Sequence, residues 1–107
     1  MTERVLGDIA TSVLFENDRV RVWEMRLDPG ERSPIHEHKL DYVMIQVSGD
    51  SMAAEMEPDS GGPWGHLGTV EGDIAPGNVI YAERGGIEAA YNNGKQPFHE
   101  IVVELKD

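Results

Sequence analysis

Along residues 19–105 apolar and polar positions alternate at short range, and no stretch keeps an apolar face at helical spacing. In residues 19–27, Val20, Val22 and Trp23 sit among charges. This reads as a strand closed by Asp28-Pro29-Gly30, where proline presets φ and glycine accepts a positive one. Residues 41–47 form a β-branched strand around Val43, Ile45 and Val47, ended by Ser48-Gly49-Asp50. Residues 51–57 are a weaker strand rich in Met and Ala, and 58–62 a hairpin loop. Residues 64–71 are expected to return as a strand, with Gly72-Asp73 opening the break before Pro76-Gly77. Strands follow over 78–82, 87–91 and 98–105, separated by Arg84-Gly85-Gly86 and Asn92-Asn93-Gly94. Residues 9–15 read as a further strand, although a short helical turn fits them too.

Short strands every eight to twelve residues or so, broken by Gly, Pro, Asn and Asp, predict an all-β sandwich or barrel. With 107 residues and no repeat or low-complexity linker, the chain is expected to be one domain over 1–107. A net charge of −11 argues against nucleic acid or an anionic membrane as partner, since either requires a basic face. There is no cysteine, so a transition metal would have to be held by imidazole, carboxylate, amide or phenol. No leader or membrane span is visible in the sequence, which makes a cytoplasmic location the expectation.

The chemistry concentrates at His36-Glu37-His38. In an extended chain two imidazoles two residues apart leave the same face, which is half of a metal site, although a bare pair also suits a solvent-facing strand. The surrounding spacing is more specific. Gly30, five residues, His36, one residue, His38, three residues, Tyr42, six residues and Gly49 follow the first motif of the cupins. Gly77, five residues, Glu83, one residue, Gly85, two residues, Glu88, three residues and Asn92 follow the spacing of the second. The chain resembles that family over most of its length, about residues 19–105. The resemblance implies a single-domain jelly-roll β-barrel, commonly a homodimer.

Three positions depart from the motifs: Tyr42 stands for the glutamate of the first, Glu88 for the histidine of the second, and Glu83 for its proline. Carried over by position, the resemblance implies His36, His38 and Glu88 as metal ligands. Two imidazoles and a carboxylate suit a divalent transition metal: Fe(II), Mn, Ni or Zn. Tyr42 is open to three readings: weak phenolate ligand, proton donor, or aromatic filling the barrel. Met44 and Gln46 share its parity and would line the same interior, Gln46 as a polar contact for a ligand oxygen. His66 and His99 read as surface or structural residues. Gly85 and Gly86 read as turn residues, and Asn92 as the group that holds its own turn.

The function expected from these residues is a metal-binding barrel holding a small polar molecule, acting as an oxygenase, isomerase or lyase if it is an enzyme. One alternative dispenses with metal: Glu88 abstracts a proton beside a carbonyl while Tyr42 or His38 supplies the acid. Another is a non-catalytic binding or sensing module.

Overall fold

The computed structural model describes residues 4–107. Nine strands follow in order: β1 (Ser12–Glu16), β2 (Val20–Leu27), β3 (His36–Glu37), β4 (Tyr42–Ser48), β5 (Ser51–Met56), β6 (Thr69–Asp73), β7 (Val79–Ala82), β8 (Ile87–Tyr91) and β9 (Phe98–Leu105). They form a five-stranded sheet in the order β1-β2-β9-β4-β7 and a four-stranded sheet in the order β3-β8-β5-β6. The strand pairs are antiparallel, which is the jelly-roll arrangement of an all-β barrel. Most expected strands appear within a residue or two; the one expected at 9–15 starts three residues late, as β1 from Ser12, preceded by buried Ile9 and Ala10.

One expected strand is only partly present. Residues 64–68 do not extend: Gly65–Leu67 is a 3₁₀ turn, and β6 begins at Thr69 and runs through Gly72 to Asp73. Gly65 explains the turn, since a Cβ there would lie 2.5 Å from the Ser60 carbonyl oxygen, too close for any other residue. The turn places Trp64 at the wall of the barrel's cavity.

Two proline–glycine turns carry the motif glycines. Glu31 N–H donates to the Asp28 carbonyl at 2.9 Å across Pro29-Gly30, and Asn78 N–H to that of Ala75 at 2.9 Å across Pro76-Gly77. Gly30 and Gly77 have φ of 85° and 86°, as the third position of a type II turn demands.

The inner faces of the two sheets differ in bulk, and that difference opens the interior. The large sheet contributes Trp23, Met25, Leu27, Phe98 and Val102 to the core. Opposite them, β6, β5 and β8 present the cross-strand row Val70, Ala54 and Ala90, with Gly72 beside Met52. Small side chains facing large ones leave a cavity of about 190 Å³ between the sheets.

Candidate metal centre

β3 is two residues long, yet its pairing determines the site. His36 lies directly across from Glu88 in the β3–β8 ladder, and His38 follows two residues on, so all three side chains point into the cavity. All three are buried, with His36 exposed by only 1%. One donor atom from each lies within 4.8 Å of the others. His38 Nε2 sits 3.1 Å from Glu88 Oε1, and His36 Nε2 faces the same oxygen at 3.8 Å.

Backbone contacts hold the imidazoles in place. His36 Nδ1 lies 2.9 Å from the Pro34 carbonyl oxygen, which can only accept, so Nδ1 donates there and Nε2 is the nitrogen turned to the site. His38 N–H donates to the Gly86 carbonyl and Gly85 N–H to the His38 carbonyl, each at 2.8 Å. Gly85 has a φ of 113°, and a Cβ on it would come 2.9 Å from Gly62 N, because the 58–62 loop rests on this turn. Gly86 has no positive φ and serves through its backbone contacts. The His38 ring stacks on Tyr42 with centroids 4.0 Å apart and meets His36 edge-on at 4.9 Å.

The residues present fit a divalent cation. Ligand atoms about 2.1 Å from a common ion lie roughly 3.0–3.5 Å from one another, and the separations of 3.1 and 3.8 Å approach that spacing. His36 Nε2 faces a carboxylate oxygen of Glu88 across 3.8 Å, a gap that a cation between them would fill. His38 Nδ1 is buried without a partner among the described residues, so this imidazole, unlike His36, has no hydrogen bond there that fixes its tautomer. Burial would push the Glu88 carboxyl up, but the two imidazoles outweigh it and hold it down at about 2. The site is therefore built to keep Glu88 as a carboxylate.

Tyr42, Met44 and Gln46 all line the cavity with the three histidine and glutamate side chains. Burial, followed by the charges of Glu88 and Glu100, raises the Tyr42 phenol well above its ordinary range, so it stands in the site as a protonated phenol. Gln46 Oε1 accepts from Ala75 N at 3.0 Å and Asn78 Nδ2 at 3.4 Å, which leaves its NH₂ group for a ligand. His66 is exposed in the 3₁₀ turn, and His99 lies on the outer face of β9, 3.2 Å from Glu24. Asn92, fully buried, does hold its turn: it donates to the Leu27 and Gln96 carbonyls and accepts from Gly94 N.

The sequence reading passed over Glu100. It projects from β9 into the cavity between Met25 and Gln46 in the cross-strand row. It is 8% exposed, and burial first, then the charge of Glu88, push its carboxyl up to about 8. The signal available in the sequence was an acid sharing the parity of Phe98 and Val102.

No family model matches the chain, and no curated protein matches it. Solved structures do match. A cupin domain from Bordetella pertussis Tohama I is 25% identical, with a TM-score of 0.76 over 100% of both chains. An RmlC-like cupin family protein with a double-stranded β-helix fold from Methanocaldococcus jannaschii is 18% identical, with a TM-score of 0.67 over 99% of this chain and 93% of its own. A DMSP lyase from Ruegeria pomeroyi is 20% identical, with a TM-score of 0.58 over 85% of this chain but 40% of its own. Two antiparallel sheets closing on a histidine-lined cavity, together with these likenesses, show that the chain has the double-stranded β-helix fold of the cupins.

Proposed function

We propose that this chain is a metal-binding cupin that holds a small molecule in its barrel, with His36, His38 and Glu88 as ligands of one divalent ion. The observation that carries this reading is the convergence of three buried donors, each with a ligand atom within 4.8 Å of the others, at the wall of the cavity between the sheets. Fe, Mn, Ni and Zn all accept such a set. A bound ion would supply Lewis acidity toward a carbonyl or carboxylate oxygen, or redox chemistry in the case of iron. The chain's own residues do the rest. Tyr42 packs flat on His38 and keeps its ring in place, and as a phenol it offers a proton toward a ligand. Gln46 offers its NH₂ group, and Met44 gives apolar contact. Oxygenase, isomerase and lyase chemistries are all compatible with this constellation.

The metal-free reading, with Glu88 as base, is weaker on the geometry. A carboxylate 3.1 Å from His38 Nε2 and held at about 2 is a poor proton acceptor near neutral pH. A binding or sensing module uses the same metal site without turnover. We place the protein in the cytoplasm as part of this reading; among the described residues no helix is long and apolar enough to cross a membrane. Elemental analysis of wild type and His36→Ala after incubation with Fe, Mn, Ni and Zn salts tests the proposal. About one ion per wild-type chain and a large loss in the variant support it, while an empty wild type overturns it.

A further inference from the structure

β9 carries two acids on its inner face, and they are treated differently. Glu104 accepts from Trp23 Nε1 at 2.6 Å and has Arg21 at 3.7 Å, so its charge is met. Glu100, four residues earlier on the same face, has no hydrogen-bond partner among the described residues, although it is buried. Its neighbours in the row are Met25 on β2 and Gln46 on β4, and Glu88 on β8 lines the same cavity. A carboxyl enclosed by a largely apolar cavity wall costs stability, because its contact with water is reduced and no protein group takes water's place. The carboxyl's position on the wall of the cavity is what it has in exchange.

We propose that Glu100 is a ligand-binding residue, the second polar anchor of the cavity, and that the ligand is a small uncharged molecule with an apolar body and an oxygen function at each end. One oxygen meets the His36, His38 and Glu88 end, as in the metal-binding reading on which this part rests, and the other takes a hydrogen bond from Glu100. The body lies against Met25, Met44, Met52 and Phe98. The oxygen function at the Glu100 end is uncharged because among the described residues no lysine or arginine lines the cavity, so a carboxylate or phosphate there would have no counter-charge. In its protonated form a carboxyl can donate to a carbonyl or hydroxyl oxygen placed against this wall.

The test compares 1,4-cyclohexanedione, which has two oxygen ends, with cyclohexanone, which has one, on wild type, Glu100→Gln and Glu100→Leu. Binding is followed by NMR shifts, with zinc-loaded and metal-free protein. Wild type is expected to bind the dione about fivefold more tightly than the ketone, the worth of one extra hydrogen bond. Gln, which still donates, keeps that preference, and Leu reduces it to below about twofold. Zinc removal weakens both ketones alike if the metal reading is right, whereas loss of the dione's advantage alone reports on Glu100, so the two readings fail separately. A dione preference that survives in Glu100→Leu overturns the proposal. So does tighter binding of trans-4-aminocyclohexanol than of the dione, or no binding of either ketone at about 10 mM. Glu100→Leu is also expected to melt higher than wild type; a lower melting temperature would show that the carboxyl is structurally bonded and would overturn the premise.

Discussion

His36 and Glu88 are a directly opposed cross-strand pair, and the 3.8 Å between their facing atoms comes from the β3–β8 register itself. A slip of one residue in that ladder would turn Glu88 out of the barrel and bring a neighbouring residue in. The register is held from outside by the backbone exchange of His38 with Gly85 and Gly86. The site therefore depends on a glycine turn that touches no ligand atom.

Replacing Gly85 by Ala tests that dependence. The residue has a φ of 113°, and a Cβ would sit 2.9 Å from Gly62 N, so both the conformation and the contact resist the methyl group. A loss of about 2 kcal/mol or more is expected. Because the strain falls beside His38, metal affinity should drop together with stability. Chemical denaturation and metal titration of Gly85→Ala check this, and an unchanged midpoint with unchanged affinity would contradict it.

Glu100 should leave a mark on the pH dependence of folding. Its carboxyl rises from 4.5 in the unfolded chain to about 8 in the folded one, so the native state holds the proton more tightly. That contribution is complete below 4.5 and is lost as the pH rises through about 8, at a slope of roughly 1.4 kcal/mol per pH unit. Glu88 acts in a different window: its lowered carboxyl favours the native state above 4.5, and that contribution is lost as the pH falls toward 2. Urea midpoints of metal-free wild type should therefore fall between pH 5 and pH 8, and Glu100→Gln should flatten the decline. Parallel curves for the two proteins would show that Glu100 does not carry it.

The outer face of the large sheet bears on assembly. Phe15, Val22, Val103, Val43 and Tyr81 form one apolar row across all five strands, with Phe15 55% and Tyr81 56% exposed at its ends. A second copy of this chain, carrying the same row, would cover it in a symmetric homodimer. Light scattering at micromolar concentration should give about twice the chain mass, and Phe15→Glu with Tyr81→Glu should halve it. A wild-type mass near that of one chain would contradict the dimer.

Much of this architecture was legible in the residues. Alternation at Val43, Ile45 and Val47 and the Pro-Gly turns at Gly30 and Gly77 place strands and breaks where the structure has them. The spacing from His36 to His38 and from Gly77 to Glu88 brought three side chains together from two strands and the loop that follows the first. The 64–68 segment misled because Trp64 and Leu67 look like strand residues, whereas the close packing of Gly65 on Ser60 that curls the chain is a tertiary contact. Glu100 was missed for a related reason. β9 carries apolar residues on both parities, Phe98 and Val102 on one and Ile101 and Val103 on the other, so its inner face is settled only by pairing with β2 and β4.

The central claim is that Glu88 completes a metal site with His36 and His38, and metal content across substitutions at that one position tests it most directly. Glu88→His supplies another neutral donor and should keep about one ion per chain. Glu88→Gln keeps the volume but removes the anion, and should lower affinity by at least tenfold. Elemental analysis of wild type, Glu88→His and Glu88→Gln, purified and loaded side by side, is the measurement. The account predicts metal in the first two and a marked deficit in the third; equal occupancy in all three, or none in any, would contradict it.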